Sequence, residues 1–272
     1  VEDRNRLEIT VGKGWYRSPV PGWITEEGKA QRAAIPAGLI AEIKITFTDT
    51  TTAVIPTDET WQAAESRIRF SEIYDGEVYD ASFEVSDYQP VVLLERTTGN
   101  LIPQQGEKIT EHEYVKAARC FTAPNGEVVV DFGQEVTGYI QFTVDAKAGE
   151  KVEISHGEVL DKDGNFYNAN YRSAKSKIYY TCCDGVQTYK PKMTFFGFRY
   201  IRLDQFPGTP CADQFYAVAV HSDMKRTGRL RSSNPLLNQL FSNIIWGQKG
   251  NFLDVPTDCP QRDERMGWTG DA

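Results

Sequence analysis

Residues 128–144 read V-V-V-D-F-G-Q-E-V-T-G-Y-I-Q-F-T-V, and this is the pattern that decides the fold of the chain. β-Branched and aromatic residues fill both halves of the stretch, and Gly133 and Gly138 fall between the halves. Short runs of this kind, separated by glycines, are typical of strands joined by turns. Similar runs follow at 151–156, 177–181 and 199–203. The spacing predicts an all-β sandwich over residues 120–223.

The preceding part of the chain, residues 1–88, is also predicted to be β-rich. Apolar residues alternate with polar ones over 7–11 and again over 43–47. Alternation with a period of two indicates strands that have one buried face, and the glycine and proline residues between them indicate turns. We therefore expect an antiparallel sheet with one solvated face. Residues 89–119 are predicted to be a connection that contains one strand, over 91–95.

A helix is predicted after the second β-rich region. Its apolar residues recur at intervals of three and four, which gives the stripe of an amphipathic helix. These residues are Leu236, Leu237, Leu240, Phe241, Ile244 and Ile245. Asn234 suits the N-cap and Pro235 the first helical position, and Gly247 and Gly250 indicate the end. One helix cannot bury such a stripe alone, so we expect it to pack on the sandwich or on further helices. A chain that leaves the stripe exposed is expected to be poorly soluble or to form homo-oligomers.

Residues 254–272, D-V-P-T-D-C-P-Q-R-D-E-R-M-G-W-T-G-D-A, differ from the rest in composition and show neither helical nor strand periodicity. Charged residues and one tryptophan are concentrated in this stretch: Asp258, Arg262, Asp263, Glu264, Arg265, Trp268 and Asp271. Two prolines, at 256 and 260, stiffen the backbone between them. Carboxyl groups beside guanidinium groups suit a site in which one carboxyl acts as a general acid, and an indole offers a flat face to a sugar ring. A salt-bridged surface loop is the alternative that this composition leaves open.

The run P-T-D-C-P-Q-R-D-E-R-M-G-W-T-G-D, residues 256–271, resembles the catalytic signature of bacterial α-L-rhamnosidases of glycoside hydrolase family 78. The resemblance implies an enzyme that releases terminal α-L-rhamnose from rhamnose-containing oligosaccharides or glycosides, with inversion at the anomeric carbon. By position, Glu264 matches the general acid of the family. The residues that match its rhamnose-binding pocket are Asp258, Arg262, Trp268 and Asp271.

The resemblance also implies a domain organisation. In that family the general base is a second glutamate far downstream, in a catalytic (α/α)6 barrel. The chain is therefore expected to contain the first helix and the signature loop of a truncated barrel, and to be inactive alone. D-F-G-Q-E-V-T-G (131–138) and F-F-G-F-R-Y-I (195–201) resemble the lectin-like, concanavalin-like sandwich before the barrel, and T-D-E-T-W-Q (57–62) resembles an accessory sandwich. The implied segments are a partial accessory N-terminal β-sandwich (1–88), a connection (89–119), the lectin-like sandwich (120–223) and the start of the barrel (224–272).

Composition excludes some classes of partner. The chain of 272 residues has a formal net charge of −8, which disfavours nucleic acid and anionic membrane surfaces as partners. No apolar window reaches the length of a membrane span, and a signal peptide would have to precede Val1. The five cysteines include the pair Cys182–Cys183, which favours reduced thiols and a cytoplasmic setting. No nucleotide fingerprint or metal-ligand spacing occurs, so neither a cofactor nor a metal is expected.

Four alternatives stay open at this point. The chain could be a carbohydrate-binding or scaffold module without catalysis, and Cys259 could be a nucleophile. D-K-D-G-N, residues 161–165, begins like a calcium loop, although a tight turn is favoured because no glutamate stands at the end of the motif. Trp15, Trp23 and Tyr79 could form a sugar-binding face, although aromatic residues in sheets more often fill the core.

Overall fold

The computed structural model describes residues 6–18, 25–95, 99, 101–264 and 267–268, and this part of the chain is mainly β. Its α-helices are α1 (Gly14–Arg17), α2 (Glu26–Ala33) and α3 (Pro235–Asn251), and a 3-10 helix covers Ala212–Gln214. The strands of the first part are β1 (Glu42–Thr46), β2 (Thr52–Pro56), β3 (Gln62–Ala63), β4 (Ile68–Glu72), β5 (Gly76–Asp80), β6 (Gln89–Pro90), β7 (Ile109–Lys116) and β8 (Arg119–Thr122). The strands that follow are β9 (Val128–Ala146), β10 (Lys151–Gly157), β11 (Val159–Leu160), β12 (Phe166–Tyr167), β13 (Lys177–Thr181), β14 (Gly185–Tyr189), β15 (Phe196–Gln205), β16 (Phe215–Ser222), β17 (Phe252–Leu253) and β18 (Val255–Pro256).

One large sheet organises the described residues. Its path is β4-β5-β13-β10-β15-β9-β16-β7, and β8 and β14 pair with β9 beside that path. The strands predicted over 151–156, 177–181 and 199–203 are confirmed as β10, β13 and β15. Large apolar side chains that are almost fully buried form the core, among them Ile140, Phe142, Ile154, Ile178, Phe196, Phe198, Ile201 and Phe215. Burial of each such side chain stabilises the fold by about 1.5–3 kcal/mol.

Strand β9 is where the sheet curls. Its first half pairs with β8 and β15, and its second half pairs with β14 and β16. The two strands expected at 128–132 and 139–144 are therefore one continuous strand. Gly133 and Gly138 lie inside it, with φ of 72° and 153°, and the register with β15 shifts between Phe198 and Tyr200. Glycine permits such a bulge because it accepts a positive φ.

Strands on both sides of the predicted domain boundaries join this sheet. Val78 of β5 lies opposite Tyr179 of β13 in a parallel pair, and Ala217 of β16 lies opposite Val115 of β7 in an antiparallel pair. β5 comes from the segment expected to form a separate sandwich, and β7 from the expected connection. The boundaries at 88, 119 and 223 stay predictions.

Two expected strands are wrong and one is confirmed. Alternation over 43–47 corresponds to β1, which pairs with β2 in an antiparallel hairpin. Residues 7–11 and 91–95 are irregular, and Val92 is 83% exposed. Apolar residues form a strand, whether they alternate as over 7–11 or are consecutive as over 91–95, only where another strand supplies backbone hydrogen-bond partners. No described strand pairs with these two segments.

Helix α3 begins and ends where the sequence indicates. The side chain of Asn234 accepts a hydrogen bond from the backbone of Leu236, and Pro235 occupies the first turn. Leu236, Leu237, Leu240 and Ile244 are exposed, as expected for a stripe without a covering partner. The other end of the helix is fixed, because Trp246 packs against the sheet core and Lys249 forms an ion pair with Glu113 of β7. Among the described helices, none is both long and apolar enough to cross a membrane.

Candidate active site

The charged stretch begins directly after α3 and folds against the sheet. β17 and β18, each two residues long, form a hairpin. The Ser222 hydroxyl of β16 accepts a hydrogen bond from the backbone N–H of Asp254 at 3.1 Å. The Thr257 N–H donates to the carbonyl of Asn251, at the end of α3, at 2.9 Å. We call residues 257–264, which follow this hairpin, the signature loop. Its start is therefore fixed by both the helix and the sheet.

Three of the predicted site residues lie together in the signature loop. Nη2 of Arg262 lies 3.7 Å from Oδ2 of Asp258, and its Nε lies 3.2 Å from Oε2 of Glu264. The guanidinium therefore stands between the two carboxylates. The Glu264 side chain is only 8% exposed. This arrangement is an ordered charge cluster and differs from a solvated loop.

The other two predicted residues lie near the end of the described chain or beyond it. The indole of Trp268 is exposed, and its backbone N–H donates to the carbonyl of Pro256 at 3.3 Å. Trp268 is thus held beside the hairpin with its ring open to solvent. Asp271, together with Arg265, lies outside the described residues.

Two residues from the large β-rich region enter the cluster, and no pattern in the sequence predicts them. Arg172 forms an ion pair with Glu264. The Ser173 hydroxyl donates to Asp263, and the Ser173 N–H donates to Oδ1 of Asp263 at 3.2 Å. These contacts join positions about ninety residues apart in the chain. Local spacing carries no signal for such pairs, and only the three-dimensional structure identifies them.

The back of the signature loop contacts the sheet closely. An added Cβ at Gly197 of β15 would stand 2.7 Å from Cγ of Pro260 and 2.8 Å from the backbone N of Gln261. The Ser176 hydroxyl lies 3.4 Å from the carbonyl oxygen of Gln261, to which it donates. The backbone of the loop therefore rests on β15 at a position where only glycine leaves room.

Two further carboxyl groups lie beside this junction, on β9 and just after β10. Burial raises the pKa of Glu158 to about 7, and the charge of Arg262 acts in the opposite direction. Burial raises the pKa of Glu135 well above its usual range, and the neighbouring Glu158 raises it further. Like charges and low solvation both favour the protonated form.

The alternative readings of other residues find little support. Burial raises the pKa of the Cys259 thiol to about 11, helped by the hydrogen bond that the thiol donates to Asp258, so this group is a poor nucleophile at neutral pH. Asp161 accepts backbone N–H groups of Asp163 and Asn165, as in a tight turn. In the described part of the chain, no three His, Cys, Asp or Glu side chains are grouped to hold a metal ion.

The aromatic residues considered for a sugar-binding face are partly buried and pack against core clusters where the structure describes them. Trp15 packs edge-on against Tyr74 and Phe195. Tyr79 stacks on Tyr180 with ring centroids 5.5 Å apart. Trp23 lies outside the described residues.

Three sequence profiles of α-L-rhamnosidase domains together match almost the whole chain. Residues 1–113 match the sequence profile of the α-L-rhamnosidase N-terminal domain, and residues 121–221 match that of the bacterial α-L-rhamnosidase concanavalin-like domain. Residues 225–272 match the profile of the bacterial α-L-rhamnosidase 6 hairpin glycosidase domain. The chain is 36% identical over 283 residues to an α-L-rhamnosidase of Alteromonas sp. (strain LOR), with 98% of this chain and 30% of that protein covered. An α-L-rhamnosidase of Streptomyces avermitilis is 37% identical over 279 residues, with 98% of this chain and 27% of that protein covered.

Solved structures give the same result. The crystal structure of the Streptomyces avermitilis α-L-rhamnosidase complexed with L-rhamnose superposes with a TM-score of 0.79 at 35% identity, over 85% of this chain and 24% of that one. The α-L-rhamnosidase of Aspergillus terreus superposes with a TM-score of 0.80 at 36% identity, over 85% of this chain and 28% of that one. The chain spans about 30% of the length of the curated relatives it matches. On this evidence, the chain belongs to the bacterial α-L-rhamnosidase family.

Proposed function

We propose that this chain provides the general acid and part of the sugar pocket of an inverting α-L-rhamnosidase. The reaction is release of terminal α-L-rhamnose from rhamnosides. Glu264 is the general acid, and Asp258, Arg262, Trp268 and Asp271 contact the sugar. The chain alone is proposed to be inactive, because the general base of the family comes from the part of the whole protein downstream of the signature loop.

The observation that supports this proposal best is the position of Arg262 between Asp258 and Glu264. A glycosidase acid must be withdrawn from bulk water and fixed relative to the bond that it protonates. Glu264 meets both requirements, since it is buried and in contact with two guanidinium groups. Asp258 and Arg262 are charged groups whose hydrogen bonds to sugar hydroxyls are of the stronger kind.

The proposed mechanism uses two carboxyl groups. Glu264 donates its proton to the glycosidic oxygen as the bond to the leaving group breaks, and the anomeric carbon develops positive charge. A second carboxylate, about 6.5–9.5 Å away in inverting enzymes, removes a proton from the attacking water on the opposite face. The product is therefore rhamnose of inverted configuration.

Trp268 is proposed to define the sugar specificity. Rhamnose differs from ordinary hexoses by a methyl group in place of a hydroxymethyl group, and an indole face suits that methyl and the ring carbons beside it. The exposed ring of Trp268 is available for such a contact. A neutral sugar also suits a chain whose net charge is −8.

We propose the same architecture for the chain as for the family. Two β-sandwich domains, at 1–88 and 120–223, are joined by residues 89–119 and precede the start of an (α/α)6 barrel at 224–272. The exposed stripe of α3 is then covered by neighbouring helices of the barrel in the whole protein. This accounts for an amphipathic helix that leaves four large apolar residues in water.

The experiment that tests the function is a panel of aryl glycosides offered to the whole protein that contains this chain. Activity confined to the α-L-rhamnoside, with β-rhamnose as the first product in the NMR spectrum, is expected. α-Rhamnose as the first product would rule out inversion. Saturable sugar binding without turnover of any panel member would instead favour the carbohydrate-binding module.

A further inference from the structure

The segment that contacts Glu264 from the sheet side, residues 171–176, is held firmly in place. Tyr171 is 1% exposed, and its hydroxyl donates to the carbonyl of Gly197 at 2.9 Å. At the other end, the N–H of Ser176 donates to the carbonyl of Tyr74 at 3.0 Å. The segment is therefore fixed at both ends, and its middle faces the signature loop.

The backbone at this junction is unusual on both sides. Arg172 and Ser176 have φ of 57° and 49°, and Asp258 in the facing signature loop has a φ of 65°. These are three of the six non-glycine residues with positive φ in the described part of the chain. Such conformations are unfavourable for residues with a Cβ and persist where the surrounding contacts impose them. Their concentration at one junction points to a functional reason for the geometry.

Fold stability gives no sufficient reason for the Arg172 contact. The Arg172 side chain is 46% exposed, so water screens its side of the ion pair, and Arg262 still faces the buried Glu264 carboxylate when Arg172 is removed. The segment is already fixed by Tyr171 and Ser173, without the guanidinium. What the guanidinium does is fix the direction of the buried Glu264 carboxyl.

We propose that Arg172 is a positioning residue for Glu264, supplied to the catalytic signature loop by the preceding β-rich region. It orients the carboxyl toward the glycosidic oxygen and adds a second positive charge beside it. This inference rests on the proposed function of Glu264 as the general acid. It assigns to the β-rich region a direct part in setting the acid.

The charges around Glu264 define what removal of Arg172 should do. Arg172 and Arg262 face the carboxyl directly, and Asp263 is adjacent in the chain and bonded to Ser173. Asp258 contacts Arg262, and the charge of Arg262 also acts on Glu158. Without Arg172, one cation remains among four acids. Arg172→Met therefore removes one of the two guanidinium groups that hold the Glu264 carboxyl in place.

The test compares three variants of the whole protein on an α-L-rhamnoside with a poor leaving group and on a dinitrophenyl rhamnoside. Arg172→Met removes the charge and keeps the stem, Arg172→Lys keeps the charge, and Lys175→Met is the matched control. Lys175 lies in the same segment and is paired with Asp75 at 3.2 Å. Its ion pair is therefore with a carboxylate other than Glu264.

Arg172→Met is expected to lower kcat/KM roughly tenfold on the poor leaving group and to affect a dinitrophenyl rhamnoside much less, because that substrate needs little protonation. Arg172→Lys should recover most of the loss, and Lys175→Met should leave activity on both substrates unchanged. Equal losses of activity on the two substrates in Arg172→Met would show a merely structural role and overturn the inference. Equal losses in Arg172→Met and Lys175→Met would overturn it as well.

A second readout does not depend on turnover and so separates this inference from the proposed function. Amide hydrogen exchange over 257–264 is expected to accelerate several-fold in Arg172→Met and in Glu264→Gln, with no further gain in the double variant. Additive effects of the two substitutions would overturn the Arg172–Glu264 coupling. If the unsubstituted protein fails to hydrolyse rhamnosides, the function fails, and the exchange data still decide whether Arg172 positions Glu264.

Discussion

Gly197 of β15 lies so close to Pro260 that a Cβ at position 197 would stand 2.7 Å from Cγ of the proline ring. A real Cβ does not approach another carbon to this distance. Either the strand or the signature loop must give way, and β15 is the more constrained because it pairs with both β9 and β10. Gly197 therefore sets the height of the signature loop above the sheet.

The first prediction follows from that contact. Gly197→Ala should displace the signature loop by roughly 1 Å and lower kcat/KM about 100-fold, because the acid no longer meets the glycosidic oxygen. The thermal unfolding midpoint and the circular dichroism spectrum should change little. Gly247→Ala is the matched control, since a Cβ at Gly247 of α3 would have no neighbour within 4 Å. Equal activity of the two variants would show that the contact at Gly197 does not position the loop.

The second prediction concerns the union of β5 with the large sheet. A Cβ at Gly76 would stand 1.7 Å from the carbonyl oxygen of Lys177, and the residue has a φ of 108°. Gly126 has a similar φ of 89° and no neighbour within 4 Å. Gly76→Ala and Gly126→Ala therefore share the backbone penalty, of about 1 kcal/mol, and differ in the collision. Chemical denaturation should show Gly76→Ala to be less stable than Gly126→Ala by about 2 kcal/mol or more. Equal stabilities would mean that β5 does not pair with β13 as the structure has it.

The third prediction is a pH dependence of stability that arises from His156. Burial lowers the pKa of this imidazole to about 3, and its Nδ1 donates to the carbonyl of Ser176 at 2.8 Å. Below its ordinary pKa of 6.5, the unfolded chain binds a proton that the folded chain does not. His156 therefore has little effect on the free energy of unfolding above pH 6.5. It lowers that free energy progressively as the pH falls from 6.5 toward 3.

At pH 5, His156 alone should lower the free energy of unfolding by about 2 kcal/mol relative to pH 7. His156→Gln keeps a donor for Ser176 and does not titrate, so urea denaturation at pH 5 and pH 7 should show a smaller difference for this variant. An unchanged difference would mean that the imidazole is accessible to protons in the folded state.

Much of the β structure is predictable because local pattern and tertiary partner agree there. The runs at 151–156, 177–181 and 199–203 become β10, β13 and β15 because each has a strand on either side to pair with. The helix after Asn234 is predictable for another reason, since its cap and its first residue are local signals. Pattern fails over 7–11, where apolar residues alternate, and over 91–95, where they are consecutive. No described strand is in place to pair with either segment.

The residues of the candidate site likewise form two groups, one that the sequence predicts and one that it does not. Asp258, Arg262 and Glu264 are close in sequence, so one short segment predicts them together, and the structure brings them into contact. Arg172 and Ser173 cannot be found in this manner. They meet the signature loop only because β10, β13 and β15 place their segment against it, and no spacing in the sequence encodes that meeting.

The most direct test of the account is the effect of Glu264→Gln on two kinds of rhamnoside in the whole protein. A general acid is needed when the leaving group is a poor one, and contributes roughly 10²–10⁴-fold in that case. Asp263→Asn, which removes the neighbouring carboxylate but no acid role, is the matched control and should affect both kinds of substrate equally. Glu264→Gln should abolish most turnover of an alkyl rhamnoside and spare most turnover of a dinitrophenyl rhamnoside. Equal losses on the two substrates would contradict the assignment of Glu264 as the acid.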